Sequence, residues 1–167
     1  MKKIASLFFV FVFALLLLSI FLFLASSKRM VVVQEGNVKQ LPIQMQAGLF
    51  QDSDCGMVID ELKDASQVIS KSGKSWFFHD HGGMIKWLES KEFQESAKVW
   101  VMSRDTKEWI DAREAFYSVS DDTPMGYGFG AYKKKSDGHI DFATMRLRVL
   151  RGETLRNPLI KKQLVKE

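Results

Sequence analysis

The sequence is short of the residues that most catalytic and structural metal sites need. It has one cysteine, Cys55, and three histidines in 167 residues. A single cysteine excludes an intramolecular disulfide and an internal thiol–disulfide exchange, so a hydrophobic core has to hold the fold. A structural zinc site takes four cysteine or histidine ligands and is poorly served by this set.

Motifs for phosphate binding and for nucleophilic catalysis are also absent. The glycine-rich stretch at 126–130 lacks the Lys-Ser/Thr pair that a P-loop requires, and its aromatic residues are typical of a strand. No serine stands in a nucleophile-elbow motif. We therefore expect a protein that is not an enzyme.

The net charge of +4 is unevenly distributed. Residues 28–145 carry 15 Lys and Arg against 18 Asp and Glu, whereas residues 146–167 carry seven against two. The body is mildly acidic, and neither part has the concentrated basic face with interleaved aromatic residues that nucleic-acid binding needs. We expect no nucleic-acid partner.

A long apolar run follows the first three residues. Residues 4–25 are 22 positions without a charge, and as a helix they would extend about 33 Å, enough to cross a bilayer core. A cleavable signal peptide usually has an apolar stretch of only about 7–15 residues. We expect residues 1–27 to be an N-terminal transmembrane helix or a signal segment. A slight positive bias before the run favours a single pass through the inner (cytoplasmic) membrane, with the soluble domain in the periplasm.

Composition divides the rest of the chain into three segments. Residues 28–50 are expected to be a tether, because glycine, asparagine and proline interrupt any longer element there. Residues 51–152 have the alternating and helical patterns of a folded domain. Residues 153–167 form a basic C-terminal tail.

Within the domain, a strand–strand–helix pattern begins twice. Strands at 66–70 and 76–78, joined by a short glycine-bearing turn, predict a hairpin, and Asp80 is expected to cap the helix that follows. A second pair of strands starts at 98–103, and a last helix is predicted at 140–150. We therefore predict an α+β fold of two related ββα-type halves after the N-terminal helix.

The candidate metal ligands begin with Cys55 and Met57, which are separated by Gly56. In an extended strand, residues i and i+2 project from the same face, so the two sulfur atoms would converge. A thiolate and a thioether are soft ligands that favour Cu(I). The alternative is that Cys55 is a small buried hydrophobe and Met57 fills the core.

His79 and His81 are further candidates, with the same i, i+2 spacing. On one strand face, two imidazoles would suit Cu(II) or Zn(II). The alternative is that His81, just before two glycines at a helix start, bonds only to the backbone. Met125 stands between Pro124, which fixes its own φ angle, and a glycine, so its side chain is expected to lie outside the core.

Three motifs in order give the chain a resemblance to a known family. They are Asp-Cys-Gly-Met-Val at 54–58, Trp-Ile-Asp-Ala-Arg at 109–113 and Thr-Pro-Met-Gly-Tyr-Gly at 123–128. Over roughly residues 50–150 the chain resembles the NosL family, which are copper-binding accessory proteins of nitrous oxide reductase. Many members are lipoproteins, whereas this sequence has no cysteine that could be acylated next to its apolar run.

The resemblance implies a periplasmic protein of two ββα-type halves that binds one Cu(I) and passes it to an enzyme. It implies Cys55, Met57 and Met125 as the ligands. The recipient would be nitrous oxide reductase or another periplasmic copper enzyme, with a membrane copper transporter or ABC complex as a further partner. Two alternatives stay open: a copper-free structural or interaction subunit of a membrane complex, and a redox-sensing thiol.

Overall fold

The structure is a computed structural model that describes residues 2–25 and 30–165. Helices and antiparallel strands both occur in it, which confirms the predicted α+β class. The helices are α1 (Lys2–Ala25), α2 (His81–Glu89), α3 (Phe142–Leu150) and α4 (Pro158–Leu164). The strands are β1 (Val33–Gln34), β2 (Ser66–Ile69), β3 (Ser75–Phe78), β4 (Lys98–Met102), β5 (Trp109–Asp111), β6 (Phe116–Tyr117), β7 (Ala131–Tyr132) and β8 (Ile140–Asp141).

A five-stranded antiparallel sheet is the centre of the domain, with strand order β1-β3-β2-β4-β5. The predicted hairpin is confirmed: β2 pairs with β3 from Ser66 opposite Phe78 to Ile69 opposite Ser75. Because side chains alternate along a strand, β3 sends Trp76 and Phe78 to one face and Phe77 to the other. The sheet therefore has a core on each side.

Helix α2 covers the larger core. Asp80 lies just before it in an extended conformation, and its side chain accepts a hydrogen bond from the Gly82 backbone N–H, which confirms the predicted cap. Met84, Ile85 and Leu88 are buried on the face that packs against the sheet.

The prediction of two related halves needs a correction. The β4–β5 hairpin does not start a second unit, because β4 pairs with β2 and extends the first sheet. A smaller sheet, in the order β7-β6-β8, precedes α3 instead. Helices α2 and α3 then contribute to one shared core. β2 is fully buried because it lies between β3 and β4 in the five-stranded sheet.

The predicted tether is also different in the structure. Within residues 30–50, β1 pairs with β3, and Val31 bridges to Phe50. Met45 and Phe50 are buried with Ile59 on the second face of the sheet. Glycine and proline do prevent long elements here, but the loop's apolar side chains cover the face that Phe77 presents.

The terminal segments lie partly outside the described residues. Where side chains are described, at 8–22 and 30–165, no helix is both long and apolar enough to cross a membrane. The anchor predicted at 1–27 includes residues beyond those limits and stays a prediction. In the predicted basic tail, Thr154 is buried and α4 has no buried residue.

Candidate metal site

Cys55 lies in a tight turn, so the expected extended strand is wrong. Backbone bonds join Gly56 N–H to Asp52 C=O at 2.9 Å and Asp52 N–H to Met57 C=O at 2.8 Å. Gln51 and Val58 bridge beneath the turn. Gly56 has a φ of +75°, which a residue with a side chain adopts only at a cost. This left-handed glycine reverses the chain between Cys55 and Met57.

The turn is held against the end of β3. The Ser53 backbone N–H donates to the Phe77 carbonyl at 2.8 Å, and the Ser53 hydroxyl oxygen accepts from the Phe77 N–H at 3.0 Å. The same hydroxyl donates to the Val32 carbonyl at 2.7 Å. These contacts place the turn beside His79, which follows β3 directly.

Asp52 organises the site. Its Oδ1 accepts the backbone N–H of Asp54 at 2.9 Å and of Cys55 at 3.1 Å. Its Oδ2 accepts the backbone N–H of His79 at 3.0 Å and lies 2.5 Å from His79 Nδ1. Burial raises the pKa of Asp52, but these hydrogen bonds outweigh it and leave the pKa below its ordinary value. Asp52 is therefore an ionised carboxylate with only 2% of its surface exposed.

The charge of Asp52 fixes the tautomer of His79. An ionised carboxylate can only accept, so His79 Nδ1 carries the proton and donates it to Asp52. His79 Nε2 is buried and has no hydrogen-bond partner among the described residues. A histidine whose other nitrogen donates to a carboxylate is the usual arrangement of a metal-bound imidazole. The same hydrogen bond raises the pKa of His79.

Cys55 completes the cluster. A Cys55 Sγ, a His79 ring nitrogen and an Asp52 carboxylate oxygen all lie within 4.8 Å of one another. Cys55 is exposed, so it is not the small buried hydrophobe of the alternative interpretation. Partial burial of the sulfur, with the charges of Asp52 and Asp54, raises the pKa of the Cys55 thiol, although the Met57 backbone N–H acts in the opposite direction. A metal ion that binds there displaces the thiol proton.

The two methionines differ in their surroundings. Met57 is 48% exposed on the Cys55 turn, so it does not fill the core. Met125 is half-buried at the edge of the larger core, contrary to expectation. Its backbone N–H donates to Asp80 Oδ2 at 3.0 Å, and its Sδ would lie 3.5 Å from a Cβ at Gly83. Met57 and Met125 stay predicted ligands.

His81 lies away from the cluster. It is the first residue of α2 and is fully buried, with its ring edge-to-face against Tyr117 at 5.9 Å. Neither ring nitrogen has a hydrogen-bond partner in the described chain. Burial lowers the pKa of His81 to about 4, although the charge of Asp80 opposes this. His79 and His81 do not share a strand face because β3 ends at Phe78 and the helix begins.

Asp52 belongs to the candidate site although the sequence did not single it out. The sequence offers Asp54 and Asp111 as hydrogen-bond acceptors around the metal ligands, and more simply as residues of a turn and of a helix cap. In the structure Asp54 is exposed, and Asp111 pairs with Lys98 and accepts the Arg113 backbone N–H. The local signal for Asp52 is an aspartate that opens a turn by accepting backbone N–H groups two and three residues on. Its contact with His79, 27 residues away, has no local signal.

No protein-family model matches the chain, and no curated protein sequence does. Among solved structures, the chain is similar to the crystal structure of the copper chaperone NosL from Shewanella denitrificans, with 21% sequence identity and a TM-score of 0.47. The similarity covers 65% of this chain and 89% of that one. What this chain binds is therefore inferred from the geometry around His79.

Proposed function

We propose that this chain binds one Cu(I) at Cys55 and His79 and passes it on to a copper enzyme. One observation carries the proposal: a ring nitrogen of His79 lies within 4.8 Å of the exposed Cys55 thiol, while Asp52 holds Nδ1 and Nε2 has no partner among the described residues. An imidazole fixed in this way presents a lone pair to an incoming metal ion.

The donor set favours Cu(I) over harder or four-coordinate ions. A thiolate, an imidazole and a nearby thioether are soft or intermediate ligands, which suit Cu(I). Structural zinc usually has four protein ligands, and the described cluster offers only Cys55, His79 and Asp52. Asp52 already accepts four hydrogen bonds, so its role is to orient His79 and not to bind the ion.

The site is suited to a carrier. Cys55 is exposed and Met57 is half-exposed, so a partner's ligands can reach the ion and replace these ligands one at a time. The motifs that resemble the NosL family support Met57 and Met125 as further ligands. They also support delivery at the periplasmic face of the inner membrane to nitrous oxide reductase or another periplasmic copper enzyme, near a membrane copper transporter or ABC complex.

The proposal is tested by titrating the full chain with Cu(I) against a chromophoric Cu(I) chelator, under reducing conditions without oxygen. We expect one equivalent to bind. Cys55→Ser and His79→Gln should each weaken binding by more than about 100-fold, the upper end of the loss seen when only an outer partner is removed. His139→Gln is the matched control, since His139 lies beside Tyr132 in another turn.

A chain that binds copper equally well without Cys55 and His79 contradicts the proposal. A chain that binds none would leave the Asp52–His79 pair as a purely structural contact, and the copper-free interaction subunit would then be the better interpretation.

A further inference from the structure

A groove with a volume of about 410 Å³ opens beside His79. Its size falls within the range of roughly 300–1,000 Å³ for sites that take small ligands or a few side chains. One wall follows the Cys55 turn and the other precedes Met125. The lining residues are Val58, Asp60, Glu61, Lys63, His79, Asp122, Thr123 and Pro124. His79 is one of these lining residues although it is only 5% exposed.

The groove is negatively charged. Asp60, Glu61 and Asp122 are all exposed in its walls. Among the described lining residues, Lys63 carries the one ammonium group, which pairs with Glu61 at 3.1 Å. In the part of the chain that the structure describes, the carboxylates of Asp60 and Asp122 form no ion pair. Two uncompensated negative charges therefore stand in the walls of the groove that His79 lines.

Both walls are held in place. The Asp122 carbonyl accepts a hydrogen bond from Arg104 Nη2 at 2.7 Å, and Arg104 forms a two-bond ion pair with the fully buried Asp64. On the other side, Ile59 donates to the Phe50 carbonyl at 2.9 Å and is itself fully buried. The groove is therefore formed before any partner arrives.

We propose that this groove is where the protein that gives or receives the metal docks, and that it selects a positively charged, ligand-bearing segment of that protein. The proposal rests on the proposed function for the identity of the cargo. His79, one of the two proposed copper ligands, lines the groove, so a segment that binds there lies next to the ion that it gives or takes. Negative walls attract a cationic segment, raise its rate of association and exclude an anionic one.

Two labelled peptides of equal length test the selection. Each has one central methionine, flanked by three lysines in one peptide and three glutamates in the other. We expect the metal-free full chain to bind the lysine peptide at least about tenfold more tightly at low salt, with a smaller ratio at high salt. The ratio should be lost in the groove variant, which combines Asp60→Asn, Glu61→Gln and Asp122→Asn.

The control variant loses the same charge elsewhere. It combines Glu92→Gln, Glu114→Gln and Asp137→Asn, three exposed positions without an ion pair among the described residues. It should keep the peptide ratio of the wild type. Equal binding of the two peptides, or an equal loss in the two variants, overturns the groove as a selective site.

Copper transfer separates this proposal from the proposed function. The lysine peptide should remove Cu(I) from the loaded wild-type chain about tenfold faster than from the groove variant at low salt. The affinity of the groove variant for Cu(I) should match the wild type, because Cys55 and His79 are unchanged. A chain that selects the lysine peptide but holds no copper contradicts the proposed function and leaves the groove as a docking site. A chain that holds copper but does not distinguish the peptides contradicts the groove alone.

Discussion

His79 and His81 stand two residues apart and have opposite surroundings. His79 has a buried carboxylate on one ring nitrogen and an exposed thiol nearby, and its second nitrogen has no partner in the described part of the chain. His81 has no hydrogen-bond partner on either nitrogen within the described residues and packs against an aromatic ring. The pKa is accordingly raised for His79 and lowered for His81. The environment, and not the residue type, makes one of them a candidate ligand.

The two histidines differ in their surroundings because α2 begins between them. His79 still lies beside the edge of β3, where the Cys55 turn and Asp52 reach it. Asp80 starts the helix, and the next residue turns inwards to the core. A histidine at the core needs to stay neutral, whereas a histidine at the edge can exchange its proton for a metal ion.

The largest expected effect is on acid stability, in the variant His81→Leu. The folded pKa of His81 is about 4, below its ordinary value of 6.5. As the pH falls through this window, the unfolded chain takes up a proton that the folded chain does not, so stability decreases. Between pH 7 and pH 4, the free energy of unfolding of the wild type should decrease by about 3 kcal/mol because of His81.

Urea unfolding of the full chain at both pH values measures this loss. In His81→Leu, the difference between the free energies of unfolding at pH 7 and at pH 4 should be smaller by about 3 kcal/mol. The copper affinity of this variant should be unchanged. An unchanged pH dependence would show that His81 already takes up its proton in the folded chain, and the contrast with His79 would be wrong.

The next effect concerns the partner of His79. Asp52→Asn removes the negative charge at Nδ1, so we expect copper affinity to fall by about 10- to 100-fold. Because the hydrogen bond that His79 donates to Asp52 raises the pKa of His79, that pKa should fall in the variant. Chelator competition and a proton-NMR titration of His79 measure the two changes. Asp54→Asn is the control, since it removes an exposed neighbouring charge, and an equal loss there would argue against an orienting role for Asp52.

The smallest effects separate the two methionines. Met57→Ala should lower copper affinity by about tenfold or less and leave the melting temperature unchanged, because surface substitutions usually change stability by less than about 0.5 kcal/mol. Met125→Ala should lower copper affinity similarly. It should also lower the free energy of unfolding by about 1 kcal/mol, below the range for a fully buried methionine. An unchanged copper affinity would remove the corresponding methionine from the ligand set.

Local patterns predicted the elements that local forces determine. The hairpin of β2 and β3 and the Asp80 cap of α2 follow from turn and capping residues within a few positions. Cys55, which the sequence predicts as a soft ligand, lies beside His79 in the structure, and its role as a ligand stays a prediction. The geometry expected for it was wrong because one left-handed glycine converts a strand into a turn.

What the sequence could not predict depends on contacts between distant residues. Nothing local distinguishes His79 from His81, and Asp52 reaches His79 across 27 positions. The β2–β3 and β4–β5 hairpins lie in one sheet because β2 pairs with β4, about 30 residues further along the chain. Such pairings depend on tertiary packing, which periodicity and turn residues do not report.

Gly82 has a consequence for the sequences that this fold accepts. A Cβ at this position would lie 2.1 Å from the Tyr127 ring, whereas a Cβ at Gly83 would meet Met125 at an ordinary 3.5 Å. A substitution at 82 would therefore push away the loop that includes Pro124, one wall of the groove, and a substitution at 83 would not. In a library randomised at both positions, folded chains should keep glycine at 82 and accept alanine at 83.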